Sequence, residues 1–242
     1  MVKLAFDILQ ATQFDDVRDM PAYTVAEAAH YLCIPKATIN AWVKGTTYTV
    51  RGQQKRFRRV IDLPVKSVNL LSFYNLAESH VLRVLRTEYN IHLQHIRKAL
   101  EFIKDRRGWE RPLIQERFKT DGVSLFIHHL GKLLDTSNPQ QRLMEDLLSE
   151  HLERIEWENA FAARLYPFTR LAARSDAPRS VVIDPQRSFG RPILERLGVT
   201  TNVIAERYKA GDSIEKLVKE YGGPQTDIEE AIRCELPIGV AA

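Results

Sequence analysis

Between His30 and Ile61 the chain carries seven basic residues, Lys36, Lys44, Arg51, Lys55, Arg56, Arg58 and Arg59, and no Asp or Glu. Such a run suits a polyanion, because each phosphate it neutralises releases condensed counterions. The whole chain of 242 residues has a net charge of only +4, so the positive field is local. Other chemistry has few carriers. His30, His80, His92, His95, His128, His129 and His151 show no HExxH spacing. His92 and His95 lie three apart and would need an added acid to hold a metal. Neither a phosphate-binding loop, nor G-x-G-x-x-G, nor G-x-S-x-G is present. Asp146 and Glu150 form one i, i+4 carboxylate pair with no second pair beside it. Cys33 and Cys234 are isolated and point to a reducing compartment. The expectation is a protein that is not an enzyme and uses no metal and no cofactor.

The basic run needs elements to present it. Thr24-Val25-Ala26-Glu27 fits a capping box, with a helix over 25–32 burying Ala28, Ala29 and Leu32. A tight turn at Cys33-Ile34 leads to Pro35, which suits the start of a second helix ending at Lys44. Gly45 fits the residue just past that end. On this helix Ile39 and Trp42 share one face, while Lys36, Asn40 and Lys44 recur at i, i+4 and i+8 on another. In a helix-turn-helix the second helix enters the major groove, so Lys36, Thr38 and Asn40 are the base-reading candidates. Residues 46–60 read as two short strands around Arg51-Gly52-Gln53-Gln54. Phe57 alternates with Arg56 and Arg58, and a ring turned inward would leave both cations for a phosphate backbone. Phosphate contacts alone would give affinity with little sequence choice.

In the middle, residues 72–88 and 92–106 read as amphipathic helices, the first ended by Asn90 and the second by Gly108. They suit pairing with a symmetry mate, which would set two recognition helices on a palindromic site. An intramolecular helical hairpin is the alternative. Asp121-Gly122 predicts a β-hairpin within 117–128. Asn138-Pro139 starts a helix whose apolar stripe is Leu143, Leu147, Leu148, Leu152 and Ile155. The segment 174–178 has the composition of a linker.

From Val181 the pattern changes. Val182-Ile183-Asp184-Pro185 is extended, Gly190-Arg191-Pro192 is a turn, and short helical patterns follow near Leu194, over 200–209 and over 213–221, with a fourth over 226–234. Asp212 is the expected cap of the third. The predicted fold is mainly α with small β content (α+β). A winged helix-turn-helix DNA-binding domain would occupy residues 1–66 and a helical middle or dimerisation region with a β-hairpin 67–175. A small C-terminal domain, trihelical and homeodomain-like, would occupy 176–242. No apolar stretch approaches the roughly 20 residues that span a bilayer. The first 20 residues lack a cleavage-like site, so a cytoplasmic address is expected.

Two family resemblances attach to these residues. The run Tyr23-Thr-Val-Ala-Glu-Ala-Ala-His-Tyr-Leu-Cys-Ile-Pro-Lys-Ala-Thr-Ile-Asn-Ala-Trp42 resembles the winged helix-turn-helix of MerR-like and excisionase-like proteins. Ile183-Asp-Pro-Gln-Arg-Ser-Phe-Gly-Arg-Pro-Ile193, Ala210-Gly-Asp-Ser-Ile214 and Ile228-Glu-Glu-Ala-Ile-Arg233 resemble DUF433, a domain of unknown function. The combination is similar to large VapB-type antitoxins. That resemblance implies a type II antitoxin that binds a cognate PIN-like ribonuclease toxin and represses its own operon through double-stranded DNA, as a homodimer. Charge logic makes Arg187, Arg191 and Arg196 candidates for the toxin's acidic site. A tether holding the turn is the plainer role for Arg191. A ligand-responsive MerR-like regulator without a toxin is the alternative reading of the whole chain.

Overall fold

A computed structural model of the chain describes residues 13–50, 53–169 and 177–236. It is mostly helical, with four two-stranded antiparallel sheets among the described residues. Strand β1 (Tyr23–Thr24) leads into α1 (Val25–Tyr31) through the expected capping box. Thr24 Oγ1 accepts from the Glu27 amide at 3.2 Å, and a Glu27 carboxylate oxygen accepts from the Thr24 amide at 2.8 Å. Cys33 takes a left-handed φ of 51° in the turn, and α2 (Lys36–Lys44) ends at Gly45, whose φ is 75°. Pro35 stands at the N-cap, one position before the start expected for it.

Strands β2 (Thr46–Val50) and β3 (Gln53–Phe57) form the wing-like hairpin, with Thr47 opposite Arg56 and Tyr48 opposite Lys55. The amides of Val60 and Ile61 then donate to the Trp42 carbonyl at 2.8 and 3.1 Å, which ties the hairpin's exit to the end of α2. Strand β4 (Leu70–Leu71) returns to pair with β1.

Helix α3 (Phe73–Thr87) starts on a Ser72–Asn75 capping box. Its expected apolar side is buried, but so is every other residue of 73–85. Three of its polar members have dedicated partners. Glu78 takes the Arg111 guanidinium at 2.9 Å, Asn75 donates to the Asp62 carbonyl at 3.0 Å, and His80 meets the His151 carbonyl at 3.1 Å. Helix α3 is thus a central rod inside its own chain. Asn90 follows it with a φ of 47°, and α4 (Leu93–Arg107) ends at left-handed Gly108.

The hairpin expected at Asp121-Gly122 is absent. Residues Phe118–Gly122 form a π-helical turn that runs into α5 (Val123–Leu134). The apolar residues Val123, Phe126, Ile127 and Leu130 recur at helical spacing, and all are buried. Gly122 serves packing there: a Cβ would lie 2.5 Å from the Phe118 ring and 2.9 Å from Trp109. Helix α5 packs on α4, and α6 (Asn138–Leu152) packs on α3 and α5. The stripe expected on α6 is corrected at both ends. Leu143 is 59% exposed, with Met144 buried in its place, and Ile155 opens strand β5 (Ile155–Glu158). Strand β5 pairs with β6 (Phe161–Leu165) across Asn159-Ala160, both at positive φ.

Strand β7 (Val181–Val182) pairs with β8 (Ile193–Leu194), so Leu194 lies in a strand and not in a helix. Helices α7 (Thr201–Lys209), α8 (Ile214–Tyr221) and α9 (Gln225–Glu235) complete the C-terminal module. Its own apolar cluster includes Val181, Leu194, Ile204, Leu217 and Ile228. Ser213 caps α8, while Asp212 instead pairs with Arg207 at 2.7 Å. A single larger cluster of buried apolar residues runs from Tyr23 to Ile183. No helix among the described residues is long and apolar enough to cross a membrane.

One buried cluster titrates. The His80 and His151 rings lie 5.2 Å apart beneath Phe168, with Arg83 and Arg154 alongside. Burial above all, reinforced by neighbouring cations, holds both imidazoles neutral, with His151 pulled down to about 4 against its bond to the Leu147 carbonyl. Unfolded histidine protonates near pH 6.5, so the unfolded state binds more protons than the native state below that pH. Stability is therefore complete above about pH 6.5 and is lost as pH falls towards about 4, by roughly 3 kcal/mol from His151 alone. Thermal midpoints of wild type and His151→Asn between pH 7.5 and 4 will test this. A decline equally steep in the variant rules out His151 as its source.

Candidate nucleic-acid interface

Helix α2 buries Ile39, Trp42 and Val43 and leaves Lys36 and Lys44 exposed, with Thr38 and Asn40 half-buried. The three residues expected to read bases, Lys36, Thr38 and Asn40, and the basic Lys44 therefore do lie along one element. Asn40, however, is engaged: its Nδ2 donates to the Lys36 carbonyl one turn back, at 3.1 Å. Bidentate pairing with adenine needs the amide oxygen and one of the two N–H donors, and the bond to Lys36 occupies only the other donor. Thr38 borders a cleft of about 290 Å³ that Ala37 and Ala41 line together with Arg86, His92 and Leu93. Arg86, held at 2.7 Å by the Asn90 side-chain oxygen, thus joins the cations beside α2. No sequence spacing connects residue 86 to residue 38; the end of α3 and the start of α4 bring them together.

The remaining basic residues separate. Arg51 lies outside the described residues, and Lys55 and Arg56 are described by their strand register. Arg58 is exposed, and its carbonyl accepts from Arg97 of α4 at 3.3 Å. Arg59 pairs at 2.5 Å with Asp62, which lies just beyond the end of the acid-free run. Its charge is partly cancelled, a correction legible from that acid three residues on.

The three C-terminal arginines diverge as well. Arg196 lies 3.7 Å from Asp227 of α9, and Arg187 reaches over Gly198. Arg191 crosses to α1, where its guanidinium pairs with Glu27 and donates to the Tyr31 hydroxyl at 3.3 Å. Tyr23 adds a buried bond, its hydroxyl donating to the Gly190 carbonyl at 2.9 Å. The fit is close, since a Cβ on Gly190 would fall 2.3 Å from that hydroxyl. Burial pushes the Tyr23 hydroxyl's pKa up, keeping it a donor. Burial would raise the Glu27 carboxyl too, but bonds from Thr24 and Arg191 outweigh it and hold the group below the ordinary range. One carboxylate thus caps α1 and receives the C-terminal module. Sequence reading treats Glu27 as a cap alone and assigns Tyr23 and Tyr31 no site role. Their common face is visible only as i, i+4, i+8 spacing. Among the described residues, no group of three or more His, Cys, Asp or Glu side chains is placed to hold a metal ion.

Removing the buried Tyr23 hydroxyl strands the Gly190 carbonyl, which costs about 1–2 kcal/mol. Tyr23→Phe should lower the denaturation free energy by that amount and speed amide exchange at 188–191. Arg191→Ala, which breaks a half-exposed pair, should cost less. Wild-type exchange at 188–191 in Tyr23→Phe would show that this bond does not hold the turn.

Residues 21–100 match the family described as "Putative DNA-binding HTH domain", and residues 181–233 match "Protein of unknown function (DUF433)". The chain is 26% identical over 232 residues to "Putative antitoxin VapB45" of Mycobacterium tuberculosis, covering 88% of this chain and 93% of that protein. Its fold is that of the crystal structure of Rv2018 from the same organism, with a TM-score of 0.62 and 23% identity over 91% of this chain and all of that one. A helix-turn-helix segment and a DUF433 segment are thus joined in one chain that is similar along most of its length to a mycobacterial protein of that name.

Proposed function

We propose that this protein is a DNA-binding antitoxin: it binds and inhibits a PIN-like ribonuclease toxin and, as a homodimer, represses its own promoter. The observation that carries the reading is its likeness, over 88% of this chain and 93% of that one, to the protein named "Putative antitoxin VapB45", together with the helix-turn-helix match at 21–100. On this reading, residues 1–66 bind double-stranded DNA. Helix α2 enters the major groove with Lys36, Thr38, Asn40 and Lys44, while Arg51, Lys55, Arg56, Arg58 and Arg59 track the phosphates. The middle region, 67–175, supports that face, and residues 176–242 receive the toxin. PIN-like nucleases cluster carboxylates around divalent metal, so a cationic inhibitor complements them. Of Arg187, Arg191 and Arg196, Arg187 is best placed to serve, having no ion pair among the described residues; Arg191 tethers the module to α1. Toxin bound beside that tether acts on the helix that supports α2.

Co-expression with the adjacent reading frame tests the toxin half. Rescue of growth and co-purification are expected; a harmless neighbour that forms no complex would sink it. On the DNA side, Arg56→Ala with Arg58→Ala should weaken binding to every duplex and reduce the slope of log K against log salt by about 0.9 per lost phosphate contact. Asn40→Ala should cost about 1–3 kcal/mol on the promoter and little on random DNA. Equal losses on both would exclude base reading by Asn40.

A further inference from the structure

Phe189 is 96% exposed, well beyond the next large apolar side chain among the described residues, Leu143 at 59%. Its backbone is also left-handed, with φ of 54°, between Ser188 at 47° and Gly190 at 73°. A bulky residue adopts that region against steric preference, whereas glycine enters it freely. Folding therefore gains no burial from this ring and sets its backbone at a disadvantage.

The strained geometry persists because the turn is over-determined. The Arg187 amide donates to the Asp184 carbonyl at 3.0 Å and the Gly190 amide to the Arg187 carbonyl at 2.9 Å. The Gln186 amide donates to the Asp184 carboxylate at 2.9 Å, and Tyr23 pins Gly190. Strain concentrated at an exposed aromatic points to a binding role. A ring already fixed on rigid backbone loses little conformational freedom on binding, which is the property of an interface anchor.

Charge defines the partner. Arg187 has no ion pair among the described residues, Arg196 is 72% exposed and only loosely paired, and Arg191 is half-exposed. The nearby acid Asp184 is buried and bonded to Arg164, and Glu195 receives the Tyr166 hydroxyl. Arg187, two residues before the ring in the same turn, thus presents a charge with no ion pair among the described residues, complementary to an apolar pocket with a carboxylate at its edge. Among the described residues the turn bonds to Tyr23, Glu27 and Tyr31 of the β1–α1 segment and to none of the DNA-reading residues of α2.

We infer that Phe189 is the anchor by which the C-terminal module docks into an apolar, acid-rimmed pocket of its protein partner. This rests on the antitoxin reading and adds the residue that grips. Full-length wild type, Phe189→Gly and Phe189→Trp would be titrated calorimetrically against the purified product of the adjacent reading frame and, separately, against promoter DNA. Phe189→Gly should keep or raise the thermal midpoint, weaken protein binding at least about tenfold and leave DNA affinity unchanged, with Phe189→Trp restoring most of the loss. Protein affinity within twofold of wild type in Phe189→Gly would overturn the anchor while the antitoxin reading stood. Loss confined to DNA would overturn it in favour of a wedge between base steps. Wild type that binds no neighbour product would overturn both, and is read before any variant.

Discussion

The Arg154 guanidinium is 1% exposed, and its position decides where the C-terminal module sits. A cation withdrawn from water is costly unless every donor finds an acceptor. Here the acceptors are carbonyls: Tyr166 at 2.9 Å, Pro167 at 3.2 Å, Ala177 at 2.7 Å and Pro178 at 2.8 Å. The Phe168 ring lies 4.7 Å from the guanidinium carbon. Burial, with Arg179 nearby, lowers the group to about 10, so it remains charged at neutral pH. These carbonyls come from the exit of β6 and the approach to β7. A single side chain therefore fastens the C-terminal module to the middle of the protein. Reciprocal backbone bonds between Leu165 and Ile183, at 3.0 and 2.8 Å, extend the same seam.

From that fixed point the rest of the arrangement follows. The turn after β7 is carried onto the first helix of the N-terminal motif, where Tyr23 and Glu27 await it. Helix α1 then has two neighbours, helix α2 on one side and the turn bearing Phe189 and Arg191 on the other. A bond made at either side acts on the same short helix, and residues sharing a partner are those expected to couple energetically. The central rod α3 reinforces this economy. Buried around its full circumference over 73–85, it spans the space between the N-terminal motif and α6, and Asn75, Glu78 and His80 are matched to particular partners such as Arg111.

Local signals in the sequence were reliable where one residue type has one physical use. The Thr24–Glu27 box, Gly45 and Gly108 after helices, and Asn90 in a left-handed turn all mark boundaries that the fold keeps. Signals with two uses misled. Asp121-Gly122 is a turn signature, but glycine is also what close packing against Phe118 and Trp109 requires, and the neighbouring apolar spacing was helical. Leu194 and Ile155 read as helical because short apolar runs do not distinguish strand from helix. Asn159-Ala160 carries no clear turn signature because alanine rarely takes positive φ, yet the β5–β6 pairing holds it there.

By itself the sequence determined the helix-turn-helix, the acid-free cationic run, the helical C-terminal segment and the small-β, mainly α class. Each is encoded in capping, periodicity or composition within a few neighbouring residues. Tertiary structure alone decided that Arg86 stands beside Thr38, that Arg191 spends its charge on Glu27, and that Arg187 has no ion pair among the described residues. It also decided that Phe189 stands out from the surface on a left-handed backbone. Those facts depend on contacts between residues up to 167 positions apart, and separations of that length leave no periodic trace in a single chain.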